Sequence, residues 1–279
     1  MSDKIWFITG CSTGFGRQLA QQVLERGDRA ALTARSPSQL EDFTSQFGER
    51  ALVLPLDVTK EAMIKQAITD AEAQFGRIDV LVNNAGYGYF SAIEEGEDIE
   101  IRRQFETNVF GLFSLTRHAL PGMRERRSGH IVNVSSIGGL MAFAATGYYH
   151  ASKFAVEGFS ESLSMEVAPL GIKVTIIEPG RFRTDWAGRS IIESKTTIED
   201  YAETAGARRT AAHAYSGFQP GDPARGAAAI IAAVDSENPP LRLLLGTDAY
   251  QLALARLDDL RRNFEKWKDL TTGTDFPKP

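Results

Sequence analysis

Short apolar runs alternate with amphipathic stretches along almost the whole chain. In the amphipathic stretches, apolar residues recur three or four positions apart, as in Phe15, Leu19 and Val23, which places them on one side of an α-helix. The short runs are apolar on both faces, which is typical of strands that are covered on both sides. This pattern predicts seven strands, at residues 5–9, 29–34, 51–56, 78–83, 130–135, 172–178 and 241–245.

Strands that alternate with helices predict an α/β fold with a parallel sheet. Right-handed crossovers give a doubly wound, seven-stranded sheet of the Rossmann type, with helices on both faces. No linker of distinct composition divides the chain, so we predict a single domain over 1–270 and a polar tail over 271–279. Residues 185–220 have no predicted strand, and an interruption of this length is typical of a functional loop, a disordered segment or a lid over a binding site. A long charged helix is predicted at 250–270.

Composition narrows the classes of protein. The 279 residues, 43% of them hydrophobic, are enough for a sizeable core, and the net charge of −5 argues against a non-specific nucleic-acid binder. One cysteine and the lack of any 18-residue uncharged apolar stretch predict a cytoplasmic protein without disulfides or a membrane span. The four histidines are scattered and match no metal-binding motif, so no metal site is predicted.

A glycine-rich turn follows the first predicted strand and opens a helix. Gly10, Gly14 and Gly16 have the spacing G-x3-G-x-G, which lets the backbone approach a diphosphate whose charge is met by the helix N-terminus. A plain tight strand–helix connection would use glycines too. The second predicted strand leads into Arg35 rather than a carboxylate, and a guanidinium pairs with a 2′-phosphate. Arg35 therefore favours NADP(H) over NAD(H) as the cofactor.

Tyr149 and Lys153 lie one turn apart on a helix predicted at 148–168. A free tyrosine has a pKa of about 10, and a fixed ammonium beside it favours the phenolate. We therefore expect a lowered pKa for Tyr149 and a role as general acid or base. Such a pair is common on helix surfaces and has little weight by itself.

Several short motifs occur in a fixed order: the glycine turn, Asn83-Asn84-Ala85-Gly86, Asn108, Ser135-Ser136, Tyr149-x3-Lys153 and Pro179-Gly180. In this order and spacing the chain resembles the single-domain branch of the short-chain dehydrogenase/reductase superfamily, over about residues 4–250, and is similar to its steroid- and retinol-type members. The resemblance implies an oxidoreductase that moves a hydride between nicotinamide and a carbonyl or secondary alcohol, and Arg35 favours NADP(H) as its cofactor.

The resemblance also implies roles for the matching residues. Tyr149 would exchange a proton with the substrate oxygen, Lys153 would lower its pKa and bond the nicotinamide ribose, and Ser136 would hold that oxygen. Asn108 would hold a water molecule in a proton relay. Cofactor contacts are implied for Gly10, Ser12, Gly14, Phe15, Gly16, Arg35, Asp57, Val58, Asn84, Gly86, Tyr149, Lys153, Pro179, Gly180 and Thr184. One departure is Thr13, where relatives that prefer NADP often carry a basic residue.

Apolar residues favour a bulky apolar carbonyl or alcohol as the small-molecule substrate. They lie at 87–90, at 140–143, and at Trp186, Ile191 and Ile192. A 3-oxoacyl-thioester reductase shares every motif and would need a basic surface for an acyl carrier. Candidates for that surface are Arg181, Arg183, Arg189, Arg208 and Arg209. A regulatory protein that senses NADP(H) without turnover is a further alternative. The resemblance implies a homodimer or homotetramer, commonly formed through the helices at 105–126 and 148–168.

Overall fold

All seven predicted strands are present, each within two residues of its expected ends. The computed structural model describes residues 3–184 and 191–276. Two further short strands occur outside the expected set. In chain order the strands are β1 (Ile5–Ile8), β2 (Arg29–Ala34), β3 (Ala51–Pro55), β4 (Val80–Asn83), β5 (Gly88–Phe90), β6 (Gly129–Val134), β7 (Ile172–Pro179), β8 (Ile191–Glu193) and β9 (Arg242–Leu245).

The strands form one seven-stranded parallel sheet in the order β3-β2-β1-β4-β6-β7-β9, and β5 pairs separately with β8. This confirms the predicted fold class. The order reverses between β1 and β4, because the chain builds outward first on one side and then on the other. In sheets of this kind, ligands bind beyond the carboxyl ends of the strands at that reversal.

Helices cover both faces of the sheet. They are α1 (Gly14–Glu25), α2 (Glu41–Phe47), α3 (Glu61–Phe75), α4 (Asp98–Phe105), α5 (Gly111–Arg126), α6 (Gly147–Val167), α7 (Ala207–Ala214), α8 (Pro223–Asp235), α9 (Thr247–Lys266) and α10 (Lys268–Thr272). Successive strand residues point to opposite faces, so Ile5 and Phe7 pack in the core beneath α3, α5 and α6. Trp6 and Ile8 pack in the opposite core, beneath α1, α2 and α8. None of the described helices has the length and apolar character needed to cross a membrane.

One expectation was wrong, and one predicted helix has different bounds. The segment 185–220 was expected to lack a strand, but it contains β8 and also α7, while residues 185–190 lie outside the described ranges. Because β8 is only three residues long and its partner β5 lies about a hundred positions earlier, no local periodicity marks it. The charged helix at the C-terminus begins at Thr247 and is divided at Trp267, and α10 extends to Thr272 inside the predicted tail.

Candidate active site

A cleft of about 1320 Å³ opens at the carboxyl ends of the strands, where the sheet order reverses. Of the predicted site residues, only Gly16 and Asn108 do not line it. Those that do are Gly10, Ser12, Gly14, Phe15, Arg35, Asp57, Val58, Asn84, Gly86, Ser136, Tyr149, Lys153, Pro179, Gly180 and Thr184. The fold thus brings residues from seven separate parts of the chain to this one cleft.

The glycine turn has the shape that a diphosphate requires. Gly10 and Gly14 have φ of +70° and +58°, a region that residues with a Cβ rarely adopt. A Cβ on Gly16 would lie 2.4 Å from the carbonyl oxygen of Gly10, so only glycine lets α1 start this close to the strand end. The Thr13 side chain makes no capping bond to α1. The N-terminus of α1 borders the cleft through Gly14 and Phe15, and its first N–H groups are suited to an anion there.

Asn84 connects the ends of β1 and β4, the neighbouring strands at which the sheet order reverses. Its Nδ2 donates to the carbonyl oxygens of Thr9 and Gly10 at 2.8 and 3.1 Å. In return the Thr9 hydroxyl oxygen accepts from the backbone N–H groups of Asn84 and Ala85 at 2.9 and 3.0 Å. Asn84 therefore fixes the shape of the glycine turn besides lining the cleft.

At the far end of the cleft, Arg35 follows β2 and is exposed. Within residues 3–184 and 191–276 it makes no ion pair, and Lys60 lines the same end. Asp57 is occupied locally, because it accepts from the N–H and hydroxyl of Thr59 at 3.0 and 2.8 Å. Burial opposes its ionisation, yet these bonds hold the pKa of Asp57 below its usual range. Arg35 is thus available to an anion such as a 2′-phosphate.

Ser136, Tyr149 and Lys153 converge in the middle of the cleft. The Ser136 hydroxyl hydrogen-bonds the Tyr149 phenol and also accepts from the N–H of Gly138 at 3.0 Å. Lys153 lies with its Nζ 5.7 Å from the centre of the Tyr149 ring, and that Nζ donates to the carbonyl oxygen of Val134 at 2.8 Å. A carbonyl group placed here would meet two hydroxyls on one side, the arrangement that stabilises a developing oxyanion.

The expected lowering of the Tyr149 pKa was wrong. Burial raises the pKa of Tyr149 to about 12, and the hydrogen bond with Ser136 only partly opposes this. Burial also lowers the pKa of Lys153 to about 8, a decrease that the negative charge of Glu157 limits. Desolvation of the phenol outweighs the nearby ammonium because the Lys153 Nζ is directed at Val134 rather than at the phenol oxygen. The protein alone therefore keeps Tyr149 protonated, which suits a proton donor.

Asn108 lies in a π-helical turn, Glu106–Phe110, that joins α4 to α5. Turns of this type often occur at functional sites. Its Oδ1 accepts from the N–H of Tyr87 at 3.0 Å and its Nδ2 donates to the carbonyl oxygen of Tyr87 at 2.9 Å. A Cβ on Gly86 would lie 3.1 Å from that Oδ1. Asn108 therefore sits behind the cleft wall and holds the segment after β4 in place, while its role in a proton relay stays a prediction.

His150, which follows Tyr149 on α6, has a positioning role in the structure. Its Nδ1 lies 3.1 Å from the carbonyl oxygen of Gly138 and its Nε2 lies 2.7 Å from the Thr146 hydroxyl. A carbonyl only accepts, so Nδ1 carries the proton and Nε2 accepts from Thr146. Burial lowers the pKa of His150 to about 4, so the ring is neutral at neutral pH. It thereby braces the loop that presents Ser136, a contact that sequence spacing does not reveal.

The predicted apolar walls are only partly cleft residues. Tyr87, Phe90, Phe143 and Ile192 line the cleft. Tyr89 is buried instead, and its hydroxyl oxygen accepts from the N–H of Glu97 at 3.0 Å. Ile191 packs in the small core around Phe90, Leu140 and Met141 pack against α9, and Trp186 lies outside the described residues. Lining residues without a sequence signal include Tyr215 and Leu252.

The predicted basic surface is smaller than expected. Arg209 is 8% exposed and pairs with the buried Glu95 at 2.5 Å, so it cannot meet a carrier protein. Arg181 pairs with Asp248 at 3.2 Å, and Arg189 lies outside the described residues. Arg208 remains at the cleft mouth, with its guanidinium 4.6 Å from the centre of the Phe143 ring. In the described part of the chain, no three His, Cys, Asp or Glu side chains converge as metal ligands.

The chain is similar to known proteins over most of its length. The family model described as short chain dehydrogenase matches residues 4–194. Oxidoreductase BOA17 of Botryotinia fuckeliana (strain B05.10) is 40% identical over 96% of this chain and 98% of its own length. A short-chain dehydrogenase from Streptomyces avermitilis, solved as a crystal structure, is 45% identical with a TM-score of 0.92, over 99% of this chain and 100% of its own. The closed form of a serine dehydrogenase complexed with NADP+ is 26% identical with a TM-score of 0.75, over 86% and 94%.

A Rossmann-type sheet with a glycine-rich turn and a convergent serine, tyrosine and lysine defines an oxidoreductase that uses a nicotinamide dinucleotide. Within this class, the family is identified by the family model over residues 4–194 and by relatives that match 96% and 99% of the chain. This protein belongs to the short-chain dehydrogenase family.

Replacing Gly16 by alanine is expected to weaken binding of the reduced nicotinamide cofactor about tenfold or more. The added Cβ would lie 2.4 Å from the Gly10 carbonyl oxygen, so the turn must shift, and overpacking of this kind costs about 1–3 kcal/mol. The change in NADPH fluorescence on titration gives the dissociation constant. Gly158→Ala is the matched control, because nothing lies within 4 Å of its Cβ position, and it should leave binding unaltered. Equal affinity in both variants would contradict the close approach at Gly16.

Proposed function

We propose that this protein is an NADP(H)-dependent dehydrogenase or reductase that acts on a bulky, apolar carbonyl or secondary alcohol. The observation that carries the proposal is the convergence of Ser136, Tyr149 and Lys153 in the cleft that the glycine turn closes at one end. Bound cofactor would supply the hydride, and the side chains of this chain would orient the substrate and manage its proton.

The proposed chemistry follows from the two hydroxyls. A substrate carbonyl oxygen binds between Ser136 and Tyr149, where negative charge develops as the carbon is reduced. Tyr149 is protonated at neutral pH and gives its proton to that oxygen. Lys153 lies on the next turn of α6 and supplies positive charge as the phenol loses its proton. In the oxidative direction the same groups act in reverse.

The proposed substrate class rests on the lining of the cleft. Tyr87, Phe90, Phe143 and Ile192 present apolar surface beside the reacting hydroxyls. Such a lining suits a hydrophobic ketone or alcohol rather than a sugar. The likeness to steroid- and retinol-type members points the same way. The 3-oxoacyl-thioester reductase stays the second candidate, since Arg208 at the cleft mouth offers a cation to an anionic carrier group.

Turnover assays separate these candidates. Purified protein with NADPH should reduce large apolar ketones, with a smaller kcat/KM for 3-oxoacyl thioesters, followed by the loss of absorbance of the reduced cofactor. A higher kcat/KM on the thioesters would favour the second candidate. Binding of NADPH without turnover across ketones, alcohols and thioesters would support a cofactor-sensing protein and overturn the enzymatic proposal.

Arg35→Ala is expected to raise the KM for NADPH by about 10- to 100-fold and to leave the KM for NADH nearly unchanged. A hydrogen bond to a charged group contributes about 1.5–3 kcal/mol, and only NADPH has the 2′-phosphate. Steady-state kinetics with both cofactors measures the difference. Arg117→Ala is the control, because that arginine is exposed on α5 and does not line the cleft. Similar loss with both cofactors would show that Arg35 does not select the phosphate.

A further inference from the structure

Two glutamates are buried together behind the proposed site. Glu157 on α6 is 5% exposed and Glu178 on β7 is 0% exposed. Arg242 on β9 lies between them, with its Nε 3.4 Å from Glu157 Oε2 and 3.4 Å from Glu178 Oε1. The other end of this guanidinium donates to Glu161 Oε2 at 2.7 Å, at the surface. Neither the proposed chemistry nor the cofactor cleft uses this pair.

Arg242 supplies one positive charge to the two buried carboxylates and also to Glu161 at the surface. The buried pair is therefore left with excess negative charge. Burial and mutual repulsion disfavour a second negative charge, as in other paired carboxylic acids. Burial and the charge of Glu157 raise the pKa of Glu178 to about 8, and burial raises the pKa of Glu157 as well. Glu178 is therefore the favoured site for a proton in this pair, and Glu157 is the favoured site for the negative charge.

Glu157 lies directly behind the reacting groups. It follows Lys153 by one turn on the buried side of α6, so the two side chains are neighbours. On the loop that carries Ser136, a Cβ at Gly139 would lie 2.6 Å from Ser135 Oγ and 2.8 Å from Glu157 Oε1. The carboxylate is thus packed against this loop. Its charge favours the protonated form of Lys153 against the cost of burial.

We propose that the Glu157–Glu178 pair is a positioning device that keeps Lys153 charged, with Glu178 holding a proton so that Glu157 can remain ionised. This inference rests on the proposed function, in which charged Lys153 supports proton transfer by Tyr149. The charged and titratable groups that face the pair are Lys153 and Glu161 from α6, Arg242 from β9, and the Ser135 hydroxyl from the loop after β6. The pair consequently sets the alkaline limit of activity.

The test compares two isosteric variants by the pH profile of kcat/KM. Glu157→Gln removes the negative charge one helical turn from Lys153. The alkaline limb of the profile should therefore move to lower pH by about one unit, a modest part of the Coulomb energy between two unit charges one helical turn apart. Glu178→Gln mimics the protonated partner and leaves Glu157 ionised, so its alkaline limb should stay within about 0.3 unit of the wild-type limb. A purely structural role predicts lower rates with no difference in pH dependence between the two.

A second variant and a second measurement cover the case in which Glu157→Gln does not fold. Arg242→Gln removes the cation that keeps Glu157 ionised, and it should move the alkaline limb in the same direction as Glu157→Gln. Stability supplies a readout without turnover. The pKa of Glu178 is raised in the folded state, so its stabilising effect is complete at low pH and is lost as the pH rises through about 8. The free energy of unfolding in urea, compared between Glu178→Gln and wild type, should therefore favour the variant more at pH 9 than at pH 6.

The outcomes distinguish this proposal from the proposed function. If wild-type protein turns over no carbonyl or alcohol, the proposed function fails, and the stability comparison still decides whether Glu178 holds a proton. If wild type is active and neither Glu157→Gln nor Arg242→Gln moves the alkaline limb, the role in charging Lys153 is overturned. An equal shift in Glu178→Gln would overturn the assignment of the charge to Glu157.

Discussion

Replacing Tyr149 by phenylalanine is expected to lower kcat by about 10²- to 10⁴-fold, the contribution of a positioned general acid. The variant removes one oxygen, which lies in the cleft within hydrogen-bonding reach of Ser136. The aromatic ring stays and keeps its packing on α6, so NADPH binding should weaken far less than turnover does. Single-turnover reduction of a good ketone substrate measures the chemical step, and fluorescence titration measures the binding.

The neighbouring tyrosine supplies a matched control. Tyr148 points away from the cleft, where its hydroxyl donates to the carbonyl oxygen of Ile93 at 2.7 Å. Tyr148→Phe loses one neutral hydrogen bond, worth about 0.5–1.5 kcal/mol of stability, and should retain turnover. Near-normal turnover by Tyr149→Phe would remove the basis of the proposed chemistry, whatever the fold. The same loss in both variants would point to general damage to α6.

Arg209 lies on α7. Replacing it by methionine is expected to destabilise the region around Glu95 and Ile198 by about 3–5 kcal/mol, the cost of leaving the buried charge of Glu95 without its partner. Arg209 contacts Glu95 at 2.5 Å, and the Glu95 carboxylate also accepts from the N–H groups of Ala92 and Ile198 at 2.8 and 2.9 Å. Burial opposes the charge, but these bonds and Arg209 hold the pKa of Glu95 below its usual range. The contribution is therefore complete at neutral pH and is lost as the pH falls through that lowered pKa.

Two measurements locate the effect. Urea unfolding gives the loss in the global free energy of unfolding. Hydrogen exchange at the Ile198 amide reports local opening, because that N–H donates directly to Glu95. Exchange at Ile198 should accelerate even if the sheet stays intact. Arg102→Ala is the control, since its pair with Asp98 is fully exposed and should change little. Replacing Glu95 by glutamine together with Arg209→Met removes the charge and keeps an oxygen that can accept from a backbone N–H. This double variant should recover part of the stability, and failure to do so would argue against an unpaired charge as the cause.

Much of this protein follows from local features of its sequence. Apolar runs bounded by polar residues gave all seven strands of the sheet, because alternation and helical spacing depend only on neighbours in the chain. The glycine turn and the Tyr149–Lys153 spacing also gave the place of the cleft. In a parallel sheet, the loops that follow the strands must meet at one edge. Residues from Gly10 to Pro179 could therefore be assigned to one site before any contact was known.

Tertiary structure decided the properties that depend on surroundings. Burial raised the Tyr149 pKa where the neighbouring lysine alone predicted a decrease. Arg209 appeared to be one of several surface cations, yet it is paired inside the protein with Glu95. The Glu157–Glu178 pair had no sequence signal, because α6, β7 and β9 must first pack before two acids share one arginine. Spacing along a chain determines which side chains lie on one face. Desolvation and charge pairing depend on what the rest of the fold places opposite that face.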